Sequence, residues 1–270
     1  MPELPEVQTV VTTLRPNVIG RKIRAVTLAR TDIVTPAGVD LVSLLTGRRV
    51  LDVSRRGKRI VFTLDDGNRF YIHLGMTGQL TAGSAKAARL PHTHLELDVG
   101  PGRVLRFRDP RRFGGVWWLG AEAGAQDEGM GPEPLALRPG QLARQLARTT
   151  RAVKNALMDQ RVVAGLGNIY VDESLFAAGI HPLAPADRLT AEQIAQLNRA
   201  IKLTLRRALR HRGSTLRDYL DAEGNAGGFQ RLHRVYDRAG QPCRSCKSLV
   251  ERIVLGGRST HFCSRCQPLK

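Results

Sequence analysis

Long apolar runs are missing from this chain. Nothing in its 270 residues approaches the roughly 20-residue apolar stretch of a membrane span. Glu3 and Glu6 interrupt the N-terminus where a secretory leader needs an apolar core. This reading argues against a membrane or secreted role, and a soluble cytoplasmic protein is expected. Cysteine is missing too, as far as Cys243, so no disulfide framework is expected in the bulk of the chain. Acidic residues are scarce: 24 Asp+Glu stand against 42 Lys+Arg, a net charge of +18. There is no basic tail, internal repeat or low-complexity tract, so the positive surface is expected to be built by the fold. Such a surface calls for a polyanion, with nucleic acid ahead of an acidic membrane surface. The length predicts two domains and a sizeable core.

What the chain does have is concentrated. All four cysteines fall in "CRSCKSLVERIVLGGRSTHFCSRC", at Cys243, Cys246, Cys263 and Cys266. Two C-x2-C pairs around a strand-length spacer are the pattern of a zinc ribbon. Four thiolates close a tetrahedral site and leave no position for water. One structural Zn2+ is therefore expected, not a catalytic one.

The remainder reads as an α+β multidomain chain. Residues 23–28, 50–64, 69–74, 94–99 and 103–107 are β-rich or alternating, with turn signals at Asp65-Asp66-Gly67-Asn68 and Gly100-Pro101-Gly102. They predict a β-sandwich or barrel with an N-terminal helix laid against it. The segment from about 135 to 222 is helical. A short helix near 152–159 leads into the glycine turn Gly165-Leu166-Gly167, and a second helix starts near Asn168. Such a turn at a helix N-terminus suits a phosphate, although glycine turns between helices are common. Ile194, Leu197, Ile201, Leu205 and Ala208 form the apolar stripe of a longer helix. The glycine-rich stretch 221–230 is either a plain linker or a mobile loop over a site.

The candidate chemistry begins at "MPELPEV". Met before a small residue is usually removed, which would leave Pro2 as the terminus. Its secondary amine, with a pKa of roughly 8, would be partly neutral at pH 7. Beside the Glu3 carboxylate, that amine is a nucleophile with an acid/base partner. A helix start accounts for Pro5 and Glu6, because Val7, Val10, Val11 and Leu14 follow at helical spacing, but not for Pro2 and Glu3. Met76 in "HLGMTGQL" and Arg111, Arg112 and Phe113 in "DPRRFGG" lie on loops. Met76 and Phe113 are either wedges for a base stack or core residues. Lys58, after Gly57 in a strand pattern, reads in isolation as a solvated strand position.

Taken in order, "PELPEV", "HLGMTG", "DPRRFG", "GLGNIY", "ESLFAAGIHP" and the cysteine quartet with "GGRSTHFC" resemble the formamidopyrimidine-DNA glycosylases over essentially the whole length. That resemblance implies an N-terminal β-sandwich with its helix at 1–132 and a helix–two-turns–helix domain at 133–222. A linker and the end of a lesion-capping loop follow at 223–233, then a zinc ribbon at 234–270. It implies a base-excision enzyme that flips oxidised purines out of double-stranded DNA, excises them, and cleaves the strand at the abasic site by β,δ-elimination. Pro2 is implied as the nucleophile, Glu3 as the acid opening the sugar, Lys58 as a second catalytic group and Arg258 as a phosphate clamp. Met76, Arg111 and Phe113 are implied to fill the void in the duplex. Lys154, Asn168 and His92 are implied phosphate contacts, and Glu6 and the 214–230 loop are implied as the lesion pocket and its lid. A monomer associated with the nucleoid, with no membrane partner, is expected. The sister family acting on oxidised pyrimidines has Gly where this chain has Leu4. A zinc-ribbon DNA binder without activity is the other alternative, and retained Met1 would favour it. Gln8 stands where relatives usually carry Glu, and Thr149-Thr150 occupies a stretch often basic in relatives.

Overall fold

The computed structural model describes residues 1–122, 127 and 129–269. The expected last ribbon residue, Lys270, lies outside them, as do 123–126 and 128 of the expected first domain. Two compact units emerge: Met1–Glu128 with His211–Gly228, and Gly129–Arg210 with Phe229–Lys270.

In the first unit, helix α1 (Leu4–Val18) begins with Pro5 in its first turn and buries Val7, Val10, Val11, Leu14 and Val18. That face packs on two sheets. One runs β1 (Ala25–Leu28), β7 (Thr93–Asp98), β8 (Arg103–Arg108), β6 (Gln79–Ser84). The other runs β2 (Val34–Thr35), β9 (Gly115–Gly120), β5 (Arg69–His73), β4 (Arg59–Leu64), β3 (Val50–Arg56). Every pairing is antiparallel except β2–β9. Leu14, Phe62, Phe70, Leu97 and Phe107 share one core, so the two inner faces and α1 bury each other. Phe62 and Phe70 face each other across β4–β5 and stack at 4.6 Å. A short helix, α2 (Leu41–Leu45), completes the unit with two buried leucines.

The run 50–64 is two strands. Gly57 and Lys58 form the turn between β3 and β4, with Gly57 at φ +56°. A two-residue hairpin needs a left-handed residue there, and glycine takes it without strain. Strands β6 and β9 carry weak alternation, and β6 contains Gly83.

Residues 211–228, expected partly in the helical domain and partly in a linker, fold onto the first unit. Gln79 donates to the Asp218 carbonyl at 2.6 Å, and Ala82 N to the Ala222 carbonyl at 2.8 Å. Tyr219 and Ala222 are buried in the sandwich core. These contacts with β6 are invisible to local composition, which reads the glycines as a linker.

The second unit holds α3 (Pro139–Leu146), α4 (Val153–Met158), α5 (Asn168–Ala178) and α6 (Ala191–Arg210), then the hairpin β10 (Glu251–Leu255), β11 (Arg258–Phe262). The expected stripe of α6 is buried, and Gly179 ends α5 at φ +67°. Among the described residues, no helix is long and apolar enough to cross a membrane.

Candidate active site and nucleic-acid interface

The first turn of α1 organises one part of the site. Glu3 is its N-cap and Glu6 closes a capping box, the Glu3 N–H donating to Glu6 Oε2 at 2.8 Å. Pro2, Glu3 and Glu6 are all buried. The other Glu6 oxygen accepts from Ser214 N at 2.7 Å, and Tyr219 Oη donates to the Glu6 carbonyl at 3.2 Å. A Cβ on Gly213 would lie 2.4 Å from that carboxylate, so only glycine fits where 211–228 passes Glu6. Glu6, expected in a lesion pocket, thus anchors the segment expected to cap the lesion.

Lys58 is placed by the β3–β4 turn. Arg55 on β3 donates to Gln8 Oε1 of α1 at 3.1 Å and to the Gly57 carbonyl at 2.9 Å, tying the early turns of α1 to the turn bearing Lys58. A lysine at a two-residue turn is ordinarily solvated, yet Lys58 is only 6% exposed. The solvated-strand reading fails because residue 58 is not on a strand face. His73 on β5 lies in its field. Burial first, then the charges of Lys58 and Arg59, push this imidazole down to about 4. Gly75 N donates to its Nδ1 at 3.1 Å, as a neutral ring allows. Neither His73 nor Arg55 stands out in the sequence; the available signal is a histidine two residues before the Gly75-Met76 loop.

A second constellation is exposed. Asp109 is fully buried and binds two loops at once. One oxygen accepts from Thr77 Oγ1 at 2.5 Å and Arg111 N at 3.3 Å, the other from Gly114 N at 2.8 Å. The loops touch at Gly75, where a Cβ would stand 2.4 Å from Gly114 N. The clamp presents Met76, 38% exposed, and Phe113, 56% exposed, on adjoining loops. The Arg111 guanidinium lies 4.6 Å over the Phe113 ring. Their exposure removes the core reading of both. His92 is exposed, at φ +65°, and its carbonyl accepts from Asp109 N at 3.0 Å, so it belongs to the same clamp.

In the second unit, Gly167 caps α5 and Asn168 opens it, as expected. Asn168 Nδ2, however, donates to the Ser259 carbonyl at 2.9 Å. Lys154 departs further from expectation. Its side chain is wholly buried, 2.6 Å from Asp172 Oδ1 and 2.9 Å from the Ser259 carbonyl. Asp172 Oδ2 accepts from His261 N at 2.8 Å. The expected phosphate contacts Lys154 and Asn168 therefore spend their side-chain donors holding β11. A buried ammonium must be paired, and Asp172 lies within reach. What β11 presents is Arg258, exposed after the Gly256-Gly257 turn, both glycines at positive φ.

The four cysteine sulfurs lie within 4.8 Å of one another, Cys243–Cys266 at 3.9 Å and Cys246–Cys263 at 3.4 Å. A tetrahedron with Zn–S of about 2.3 Å has edges of about 3.8 Å, so the quartet fits one structural Zn2+. Val235, Val250 and Phe176 of α5 pack around it.

Comparison with known proteins divides the chain into three segments. Residues 1–116 match the family described as formamidopyrimidine-DNA glycosylase N-terminal domain, and 130–219 the formamidopyrimidine-DNA glycosylase H2TH domain. Residues 240–269 match the zinc finger found in FPG and IleRS. The formamidopyrimidine-DNA glycosylase of Chloroflexus aggregans is 46% identical, covering 100% of this chain and 99% of that protein. The crystal structure of the MutM (Fpg) protein from Thermus thermophilus is 41% identical at TM-score 0.87, with 98% of each chain covered. A Lactococcus lactis Fpg bound to DNA containing an abasic site is 33% identical at TM-score 0.92, covering 99% of this chain and 100% of that one.

Proposed function

From the premise that the chain belongs to the formamidopyrimidine-DNA glycosylase family, we infer that it excises oxidised purines from duplex DNA and then cuts the strand. It is a bifunctional DNA glycosylase and AP lyase of base excision repair. Its substrates are 8-oxoguanine, formamidopyrimidine and abasic sites in double-stranded DNA, and it carries one structural zinc. It acts as a monomer, in the cytoplasm at the nucleoid. The observation that supports its chemistry best is Lys58, buried at a tight turn that Arg55 and Gln8 tie to the first turns of α1.

The steps follow from the groups present. After loss of Met1, the Pro2 amine attacks C1′ of the extruded nucleotide and the base departs with the bond pair. Glu3 takes the N–H proton from the attacking nitrogen and passes it to the ring oxygen, the C1′–O bond breaks and the sugar opens, and the nitrogen lone pair forms the iminium. A secondary amine leaves no N–H to lose, so this cation persists as an electron sink. It acidifies C2′–H; a base takes that proton and the 3′ phosphate leaves. A second elimination releases the 5′ phosphate. Lys58 serves the eliminations. Arg258 holds phosphate electrostatically rather than as an acid, because a guanidinium does not give up its proton in a protein. Met76 and Phe113 fill the gap left by the extruded nucleotide and Arg111 faces the orphaned base, offsetting a few kcal/mol of lost stacking. His92 contacts backbone phosphate, as does the start of α5 at Asn168 through its peptide N–H. Glu6 positions the capping segment beside the lesion.

Borohydride trapping on an 8-oxoguanine duplex tests this. Intact mass should show Met1 absent, and the wild type should form a covalent adduct. Pro2→Gly should bind the duplex but trap far more slowly. Glu3→Gln should bind and fail to excise; normal turnover by it would remove Glu3 from the chemistry.

A further inference from the structure

Helix α6 carries a second stripe beside its buried one. Arg199, Leu203, Arg207 and Arg210 recur at i, i+4, i+8 and i+11, on one face. Among the described residues no carboxylate pairs with any of these three arginines, although Arg207 and Arg210 lie one turn apart with like charge. Leu203, between them, is 53% exposed. This stripe walls a groove of about 660 Å3 whose other side is the C-terminal half of α5 and the short helix Phe229–Leu232. Phe176, Ala200, Phe229 and Leu232 supply apolar lining. Arg234 lies 4.5 Å over the Phe176 ring and adds a fourth cation to the rim. The one carboxylate in the wall, Glu173, is turned inward, accepting the N–H groups of Arg234, Val235 and Tyr236 at 2.9 Å. Past Gln196 lies a second hollow whose lining is of mixed charge, with His181, Arg188 and Glu192.

Stability does not ask for this arrangement: like charges on one helix face and a solvated leucine both cost free energy. A binding role does. We propose that the α5–α6 groove docks an acidic peptide segment of a partner protein, its carboxylates on the arginines and one apolar side chain against Leu203. Nucleic acid fits less well, because phosphates need the cations but not the apolar lining. The groove also lies at the C-terminal half of α5, whereas the proposed phosphate contact at Asn168 is about 8 Å along the helix from Glu173 and about 12 Å from Phe176. A second copy of this chain, itself at +18, would be repelled.

The probe is a fluorescein-labelled peptide of six aspartates around a Leu-Phe pair. It is titrated by anisotropy into zinc-loaded protein already saturated with a duplex carrying a tetrahydrofuran abasic analogue. Saturation occupies the DNA-binding surface, so peptide bound there would be displaced. The expected result is micromolar binding that Leu203→Asp and Arg207→Glu each weaken about tenfold, with 8-oxoguanine excision unchanged. Absence of binding would overturn the proposal. So would equal binding of an all-aspartate peptide, which would make the contact charge alone. Displacement of the peptide by a single-stranded oligonucleotide, with both ligands weakened alike by Leu203→Asp, would make the groove a nucleic-acid surface instead. Excision measured in parallel keeps this outcome separate from the glycosylase reading, since neither variant touches the proposed chemistry.

Discussion

Lys154 shows how far a residue's meaning depends on what surrounds it. In the sequence it is one more cation on a basic protein. In the fold it is sealed against Asp172, eighteen positions on, and no local pattern announces that pairing. Removing one partner of a buried pair strands the other charge, at about 3–5 kcal/mol. Lys154→Met should therefore lower unfolding stability by that amount, and Lys154→Met with Asp172→Leu should regain most of it. A single variant with wild-type urea midpoint would mean Asp172 finds another partner. His233 carries a second residue-scale consequence. Its ring packs edge-on against Phe229 and Tyr236, and burial pushes its pKa down to about 4. The unfolded chain takes up that proton near pH 6.5. Between pH 6.5 and 4 the unfolded state therefore binds more protons, so stability falls as pH drops through this window and is unaffected above it. Thermal midpoints should show the decline, and His233→Asn should remove a slope of about 1.4 kcal/mol per pH unit.

Elements were legible where periodicity or ligand spacing was strong. The stripe of α6, the N-terminal helix and the glycine-started α5 stand where the sequence puts them. The cysteine spacing predicts a hairpin between the pairs, and β10–β11 is there. The turn at Gly57-Lys58 and the folding of 211–228 onto β6 were not legible. One is a hairpin inside an unbroken β-rich run, and the other is fixed by contacts more than a hundred residues apart in sequence. The ribbon's apolar cluster is small, essentially Phe176, Val235 and Val250 with the cysteines. Metal ligation must then supply much of its folding free energy. Cys246→Ser should lose zinc and melt the hairpin bearing Arg258, while the sandwich core stays intact. Metal analysis with near-UV circular dichroism would read this, and strand cleavage should fall with the zinc content. A zinc-free variant that still cleaved at wild-type rate would show that the ribbon is dispensable.

For the whole molecule, charge and wedge make separable contributions to DNA binding. The +18 excess favours any duplex, damaged or not, through release of counterions, so log affinity should fall linearly with log salt. Arg258 is exposed at the hairpin tip, and Arg258→Ala should make that slope shallower by about 0.9, for lesion and undamaged duplex alike. Lys154→Met, though it also deletes a cation, should leave the slope nearly unchanged, because a buried ammonium paired with Asp172 releases no counterion from phosphate. Phe113→Ala removes no charge and, at an exposed site, little stability. Its loss should fall on the step that unstacks the duplex, a term of a few kcal/mol. Excision from a fully paired duplex should slow, while excision from a pre-opened bubble should change far less. Should both substrates slow equally and the melting temperature drop as for a core Phe→Ala, Phe113 would be supporting its loop through the Arg111 stack rather than wedging DNA.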